Sequence, residues 1–217
     1  MEKTKISKLQ AWLSILFVSC FLISNILAAK QFALPFGVSM TVGAMTTFPI
    51  TYILSDIFSE VYGYKWSRAT CYMAFTMNLL MAGLFQIAII LPPSPFYAGQ
   101  EAFAQTLGNA PRILAASLAA YVIGDLANDK VFRKMKERHA ETMKGYGWRA
   151  ILSSLVGELC DSCVFIPIAF IGTLPAREMV VMAATQVCLK VGYEIIVLPL
   201  STLVCKKVRE YELQSSR

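Results

Sequence analysis

The stretch that decides the fold reads Ser153-Ser154-Leu155-Val156-Gly157-Glu158-Leu159-Cys160-Asp161-Ser162-Cys163-Val164-Phe165-Ile166-Pro167-Ile168-Ala169-Phe170. Two carboxylates, three positions apart, stand inside a run that is otherwise apolar and long enough to cross a bilayer. About 20 apolar residues of helix span the hydrocarbon, and a charge at its centre costs roughly 2.5 to 3.5 kcal/mol. Such groups persist where they face a protein interior or a wet cavity, which marks them as functional candidates.

Five further runs of this kind flank it. The spacing predicts helices over residues 9–29, 41–62, 67–91, 110–131, 149–172 and 177–205. Four of the six carry internal or terminal charge at these positions: Asp56 and Glu60, Arg112 and Asp125, Glu158 and Asp161, Lys190 and Glu194. The chain has 217 residues, 56% hydrophobic and 16% charged, against about 25% charged in soluble domains. Six spans leave room for short loops and two tails, so the expectation is one all-α transmembrane domain over residues 1–217. Residues 9–29 follow Lys3, Lys5 and Lys8 as a signal peptide would, but the apolar run exceeds the 7–15 residues of a signal core and reads as a retained helix. Pro49, Pro167 and Pro199 fall inside spans and predict kinks or breaks. The prolines at 92, 93 and 95 predict a loop reaching Gly108.

Lysine and arginine set the expected orientation. Sixteen of the 20 lie in the N-terminal tail, the 63–66 loop and the start of the third span, the 130–149 segment and the C-terminal tail. Only Lys30, Arg112 and Arg177 fall on the opposite side, and Lys190 lies within its span. The positive-inside rule then puts both termini in the cytoplasm of a multi-pass cell-membrane protein. The net charge of +6 is thereby explained by retention at the anionic leaflet, without nucleic acid as a partner. Six cysteines lie in or beside apolar runs and read as packing residues, including the Cys160–Cys163 CxxC pair. His139 stands alone in a basic loop, so no metal site and no cofactor is expected.

Depth sorts the polar residues. Glu158 and Asp161 lie about 14 to 18 Å into the fifth helix, and Lys190 and Glu194 lie midway along the sixth. A buried Asp161–Lys190 pair is the expected arrangement, since an opposite charge keeps a desolvated lysine ionised. Asp56 with Glu60, and Asp125 with Asp129, are four apart and share helix faces nearer the cytoplasm. Asn25 and Asn78 suit either hydrogen bonding to a solute or interhelical bonding. Arg112 opens a helix on the outer side, as a headgroup-seeking or gating residue. The candidate substrate-binding set is Glu158, Asp161, Lys190, Asp125, Asp56, Asn78 and Asn25, with Glu60, Arg112 and Glu194 as gating or structural residues.

The run Asp56-Ile57-Phe58-Ser59-Glu60-Val61-Tyr62-Gly63 resembles the acidic motif of the queuosine precursor transporters, also called the vitamin uptake transporter family. Arg112 followed by Ala119-Ala120-Tyr121-Val122-Ile123-Gly124 resembles its fourth-helix motif. Ser154-Leu155-Val156-Gly157 with Asp161 resembles the fifth, and Lys190 with Pro199 the sixth. The resemblance runs in order from Asn25 to Pro199. It implies a six-helix fold similar to the substrate-binding subunits of energy-coupling-factor transporters, and import of deazaguanine bases used in transfer RNA modification. Departures from the family pattern occur at Asp125 and Glu158, where amides are usual, and at Asn128, where an aspartate is. The added acids favour a cationic, aminomethyl-bearing base over a neutral nitrile.

Two functions fit. One is a self-sufficient importer of a nucleobase-like small molecule, acting as a homo-oligomer such as a dimer. The other is a ligand-binding subunit that needs a separate coupling protein. No GxxxxGK[ST] phosphate loop is present. An intramembrane enzyme has no Ser/His pair or HExxH motif to support it.

Overall fold

The computed structural model describes residues 6–34, 39–138 and 146–215. Its elements run α1 (Lys8–Leu27), β1 (Gln31–Ala33), β2 (Ser39–Thr41), α2 (Val42–Thr46), α3 (Phe48–Ile57), a π-helical turn (Phe58–Tyr62), α4 (Tyr64–Ile90), α5 (Gln100–Leu107), α6 (Ala110–Arg138), α7 (Tyr146–Phe170) and α8 (Ala176–Ser215). The fold is all-α apart from the short β1–β2 pair. Among the described residues, four helical stretches are long and apolar enough to cross a membrane: Lys8–Leu27, Tyr64–Ile90, Gln100–Asn128 and Ala176–Val197.

Several boundaries differ from the sequence expectation. Residues 41–62 are not one helix. Pro49 has no N–H to continue a helix from α2, but it is tolerated in a first turn, so the chain breaks at Thr47 and restarts as α3. The helix then widens into the π turn and stops at Gly63, whose φ of 87° favours glycine. The expected loop up to Gly108 contains α5, tied to the end of α4 by a bond from Gln100 Nε2 to the Ile89 carbonyl (2.9 Å). The fourth and sixth helices run past residues 131 and 205, to Arg138 and Ser215. Lys, Arg, Glu and Met are good helix formers, so the helices outlast their apolar stretches. At 40 residues, α8 is about 60 Å long, roughly twice the hydrocarbon thickness.

α1 starts at a capping box. The Ser7 hydroxyl accepts from the Gln10 N–H (2.9 Å) and the Gln10 side chain accepts from the Ser7 N–H (3.4 Å), satisfying two otherwise orphaned donors. α4 shows how the helices are patterned. Its buried residues are Ser67, Thr70, Ala74, Asn78 and Ala82, whereas Leu79, Leu80, Leu84 and Ile87 are exposed. Small and polar groups inside, with leucine and isoleucine outside, is the pattern of helices that pack in lipid.

The chain divides into two compact units. The first comprises residues 1–31, 41–111 and 193–217, the second 32–40 and 112–192. Phe17, Leu54, Ile57, Phe58 and Ala74 form the core of the first, with Val204, Cys205 and Val208 of α8 packed on it. The Phe17 and Phe58 rings meet edge to face at 5.7 Å, the geometry their quadrupoles favour. Ala116, Ile166, Ala169, Phe170 and Met182 form the core of the second. All six cysteines are free thiols.

Candidate functional site

In the second unit, α6 and α7 are fixed to each other at two places. They touch backbone to backbone where Gly124 meets Gly157: a β-carbon on Gly124 would lie 3.0 Å from the Gly157 carbonyl oxygen and 3.2 Å from Asp161 Cβ. Small residues allow this approach, and dispersion between close backbones holds it. At the other end, Arg112 Nε and Nη2 donate to the carbonyls of Ile168 (2.6 Å) and Ile171 (2.5 Å). A guanidinium on the last carbonyls of α7 satisfies orphaned acceptors and complements the helix dipole. Arg112 therefore caps α7, a structural contact.

That crossing sets Glu158 and Asp161 toward α8. Lys190 Nζ lies 2.7 Å from Glu158 Oε2 and 2.8 Å from Asp161 Oδ2. The lysine side chain is 8% exposed, the two acids 18% and 28%. The expected Asp161–Lys190 pair is present, and Glu158 joins it. One ammonium is thus shared by two carboxylates. Such a group costs desolvation that Coulomb attraction only partly offsets, so it is weak as a stabilising device. The side chain of Glu194 lies outside the described residues, as does that of Asp129. Asp125, on α6, is exposed.

In the first unit, the Ser201 hydroxyl donates to Asp56 Oδ2 (2.7 Å). Arg209 Nη2 donates to the Glu60 carbonyl (2.7 Å) and stands 3.8 Å from its carboxylate. Both of these side chains are more than half exposed, so the ion pair itself has little energetic weight. Glu212 Oε1 accepts from Tyr62 Oη (2.8 Å) and from Ser7 Oγ (2.5 Å). Arg209, Glu212, Tyr62 and Ser201 were not singled out from sequence. The Ser7-x-x-Gln10 cap was a readable signal, but nothing local pointed to its second partner 205 residues away. Asn25 and Asn78 are both buried, at 8% and 1% exposure.

Among the described residues no three His, Cys, Asp or Glu side chains gather to bind a metal ion. Residues 41–204 match the family model described as "Putative vitamin uptake transporter".

The chain belongs to this family.

The vitamin uptake transporter match takes in α2 through most of α8, including every residue of the Lys190 cluster. A protein of Bacillus subtilis (strain 168) named "Probable queuosine precursor transporter" is 23% identical over 180 residues, covering 83% of this chain and 78% of the relative. A Haemophilus influenzae (strain ATCC 51907 / DSM 11121 / KW20 / Rd) protein of the same name is 27% identical over 173 residues, covering 72% and 70%. No solved structure matches. As a member of the vitamin uptake transporter family, the chain is a multi-pass membrane transporter of a small molecule and not an enzyme. In such a protein, buried charge at the middle of long helices is where a polar solute can exchange its hydration shell for fixed partners.

Proposed function

We propose that this transporter imports a queuosine-precursor base, a deazaguanine, and prefers the cationic aminomethyl form. The observation that carries the reading is the Lys190–Glu158–Asp161 cluster. Two carboxylates gathered at one buried site attract a positively charged ligand and repel an anionic one. A guanine-like ring also presents adjacent N–H donors, for which carboxylates and amides are the natural acceptors. The names of the bacterial relatives point to the same substrate class. Glu158, Asp161 and Lys190 are the proposed charge-recognising residues. Asn25, Asn78, Asp56 and Asp125 complete the proposed polar set, and Glu60 and Glu194 are proposed as gating or structural groups.

The proposed topology has six spans: α1, the α2–α3–π segment, α4, α6, α7 and α8. Both termini face the cytoplasm, on the strength of the lysine and arginine asymmetry. The six-helix architecture would then parallel the substrate-binding subunits of energy-coupling-factor transporters. Here, however, the chain is proposed to transport by itself.

The test is queuosine in transfer RNA, measured in a strain that cannot make the precursor, lacks its own importer and has no energy-coupling-factor subunits. Expression of this chain with the aminomethyl base in the medium should restore the modification. Restoration that requires added coupling subunits would make it a binding subunit. No restoration with any deazaguanine would remove the substrate assignment.

A further inference from the structure

Asn78 is 1% exposed, and among the described residues neither its Oδ1 nor its Nδ2 has a hydrogen-bond partner. Buried polar side chains are bonded in the great majority of cases, and an exception calls for an explanation. The ordinary role of a membrane asparagine is to join two helices by a hydrogen bond. Asn78 joins nothing, so that role does not account for it. It lies 14 residues into α4, about 21 Å along the axis and near the middle of the span.

The register between α1 and α4 shows what surrounds it. Trp66 Nε1 donates to Ser14 Oγ at 3.2 Å, and about two turns further on the Phe21 and Phe75 rings meet edge to face at 5.2 Å. Because the two helices run parallel through these contacts, the next turn brings Asn78 level with Ser24 and Asn25. Phe75 precedes Asn78 by three positions and shares its helix face. An orphaned amide thus stands beside an aromatic pair, in a helix face otherwise made of small residues.

We propose that Asn78 is a ligand-binding residue whose amide pairs, through both of its polar atoms, with the lactam edge of a planar base resting against Phe75. The inference rests on the deazaguanine reading and specifies which edge of the ring is recognised. An asparagine side chain offers a donor and an acceptor side by side. A cis-lactam offers the reciprocal pair, carbonyl and N–H on adjacent ring atoms, so one ligand edge satisfies both orphaned atoms. A lone water would satisfy them too, but it would not discriminate between bases. Sites built to hydrogen-bond a ligand group reject analogues that lack it, because the buried partners are then left unpaired.

The experiment uses the full chain in detergent and two probes: 7-aminomethyl-7-deazaguanine and its O6-methyl ether, which has no lactam N–H. Wild type should bind the parent base about ten- to a hundredfold more tightly than the ether. Asn78→Leu should bind both weakly and equally, and without ligand should melt no lower than wild type, since it removes two unsatisfied atoms. If the leucine variant does not fold, Asn78→Ser is read with the same two probes. A variant that binds the parent like wild type, or that still penalises the ether as wild type does, overturns the proposal. Wild type that binds the parent but not preferentially over the ether overturns it while leaving the import reading intact. Wild type that binds neither base removes both.

Discussion

The Lys190 ammonium lies 2.8 Å from the Asp161 carboxylate, 29 residues back along the chain on the preceding helix. A second acid, Glu158, is equally close, so the lysine is outnumbered. Lys190→Met strands two carboxylates and should cost about 3 to 5 kcal/mol. Asp161→Asn keeps one acid for the lysine and should cost less. Thermal unfolding in detergent gives the order. Cell uptake of the aminomethyl base should fall at least about tenfold in both, and unimpaired uptake in Asp161→Asn would remove the cluster from the transport site.

Glu158→Gln leaves one acid, Asp161, beside Lys190 and removes a negative charge from the cluster. The expected result is a shift of preference toward the neutral nitrile base, by about tenfold for each 1.4 kcal/mol of lost attraction. Competition between the cationic and neutral bases for uptake measures it. An unchanged ratio would mean that charge at position 158 does not select the substrate.

Gly124→Ala places a methyl group against the Gly157 carbonyl and Asp161. Two backbones must separate to admit it, at about 1 to 3 kcal/mol, and Asp161 moves with them. Gly83→Ala, where a β-carbon meets nothing within 4 Å, should be neutral or stabilise by up to about 1 kcal/mol through lower backbone entropy. Comparing melting temperatures and uptake for the two separates loss of the helix crossing from loss of glycine as such.

Arg112→Ala removes two charge-assisted bonds to the end of α7, worth about 1.5 to 3 kcal/mol each before relaxation. Arg112→Lys has one ammonium and no fork, and should recover only part of this. As a cap, Arg112 should change the melting temperature without changing which base is preferred. A change in selectivity at unaltered stability would instead favour the gating role.

The legible part of this fold was whatever hydrocarbon enforces. Long apolar runs must be helices, and Asp161 and Lys190, opposite charges at similar depth, had to meet. What escaped detection depends on distant geometry. Pro49 signalled an interruption, but whether 41–62 would bend or break turned on where the next helix could start. α5 is eight residues in a proline-rich connection, too short for periodicity to register. The ends of α6 and α8 were drawn where apolarity stops, although helices end where capping and propensity decide. The role of Arg112 could be read only once α7 was known to finish at Phe170. The state of Asn78 is a lack of hydrogen-bond partners among the described residues, which no local pattern encodes.

Glu212 holds the first turn of α1 through Ser7 and the end of the π turn through Tyr62. Residues 193–217 belong with residues 1–31 and 41–111, although residues 112–192, most of the second unit, are made between them. During synthesis, then, the earliest helices enter the membrane without their final partner and wait for it through some eighty intervening residues. The second unit is translated whole and can pack while the first is still open. A ribosome that stalls before Glu212 leaves behind a chain whose oldest part is its least finished, and quality control would meet it at the N-terminal end.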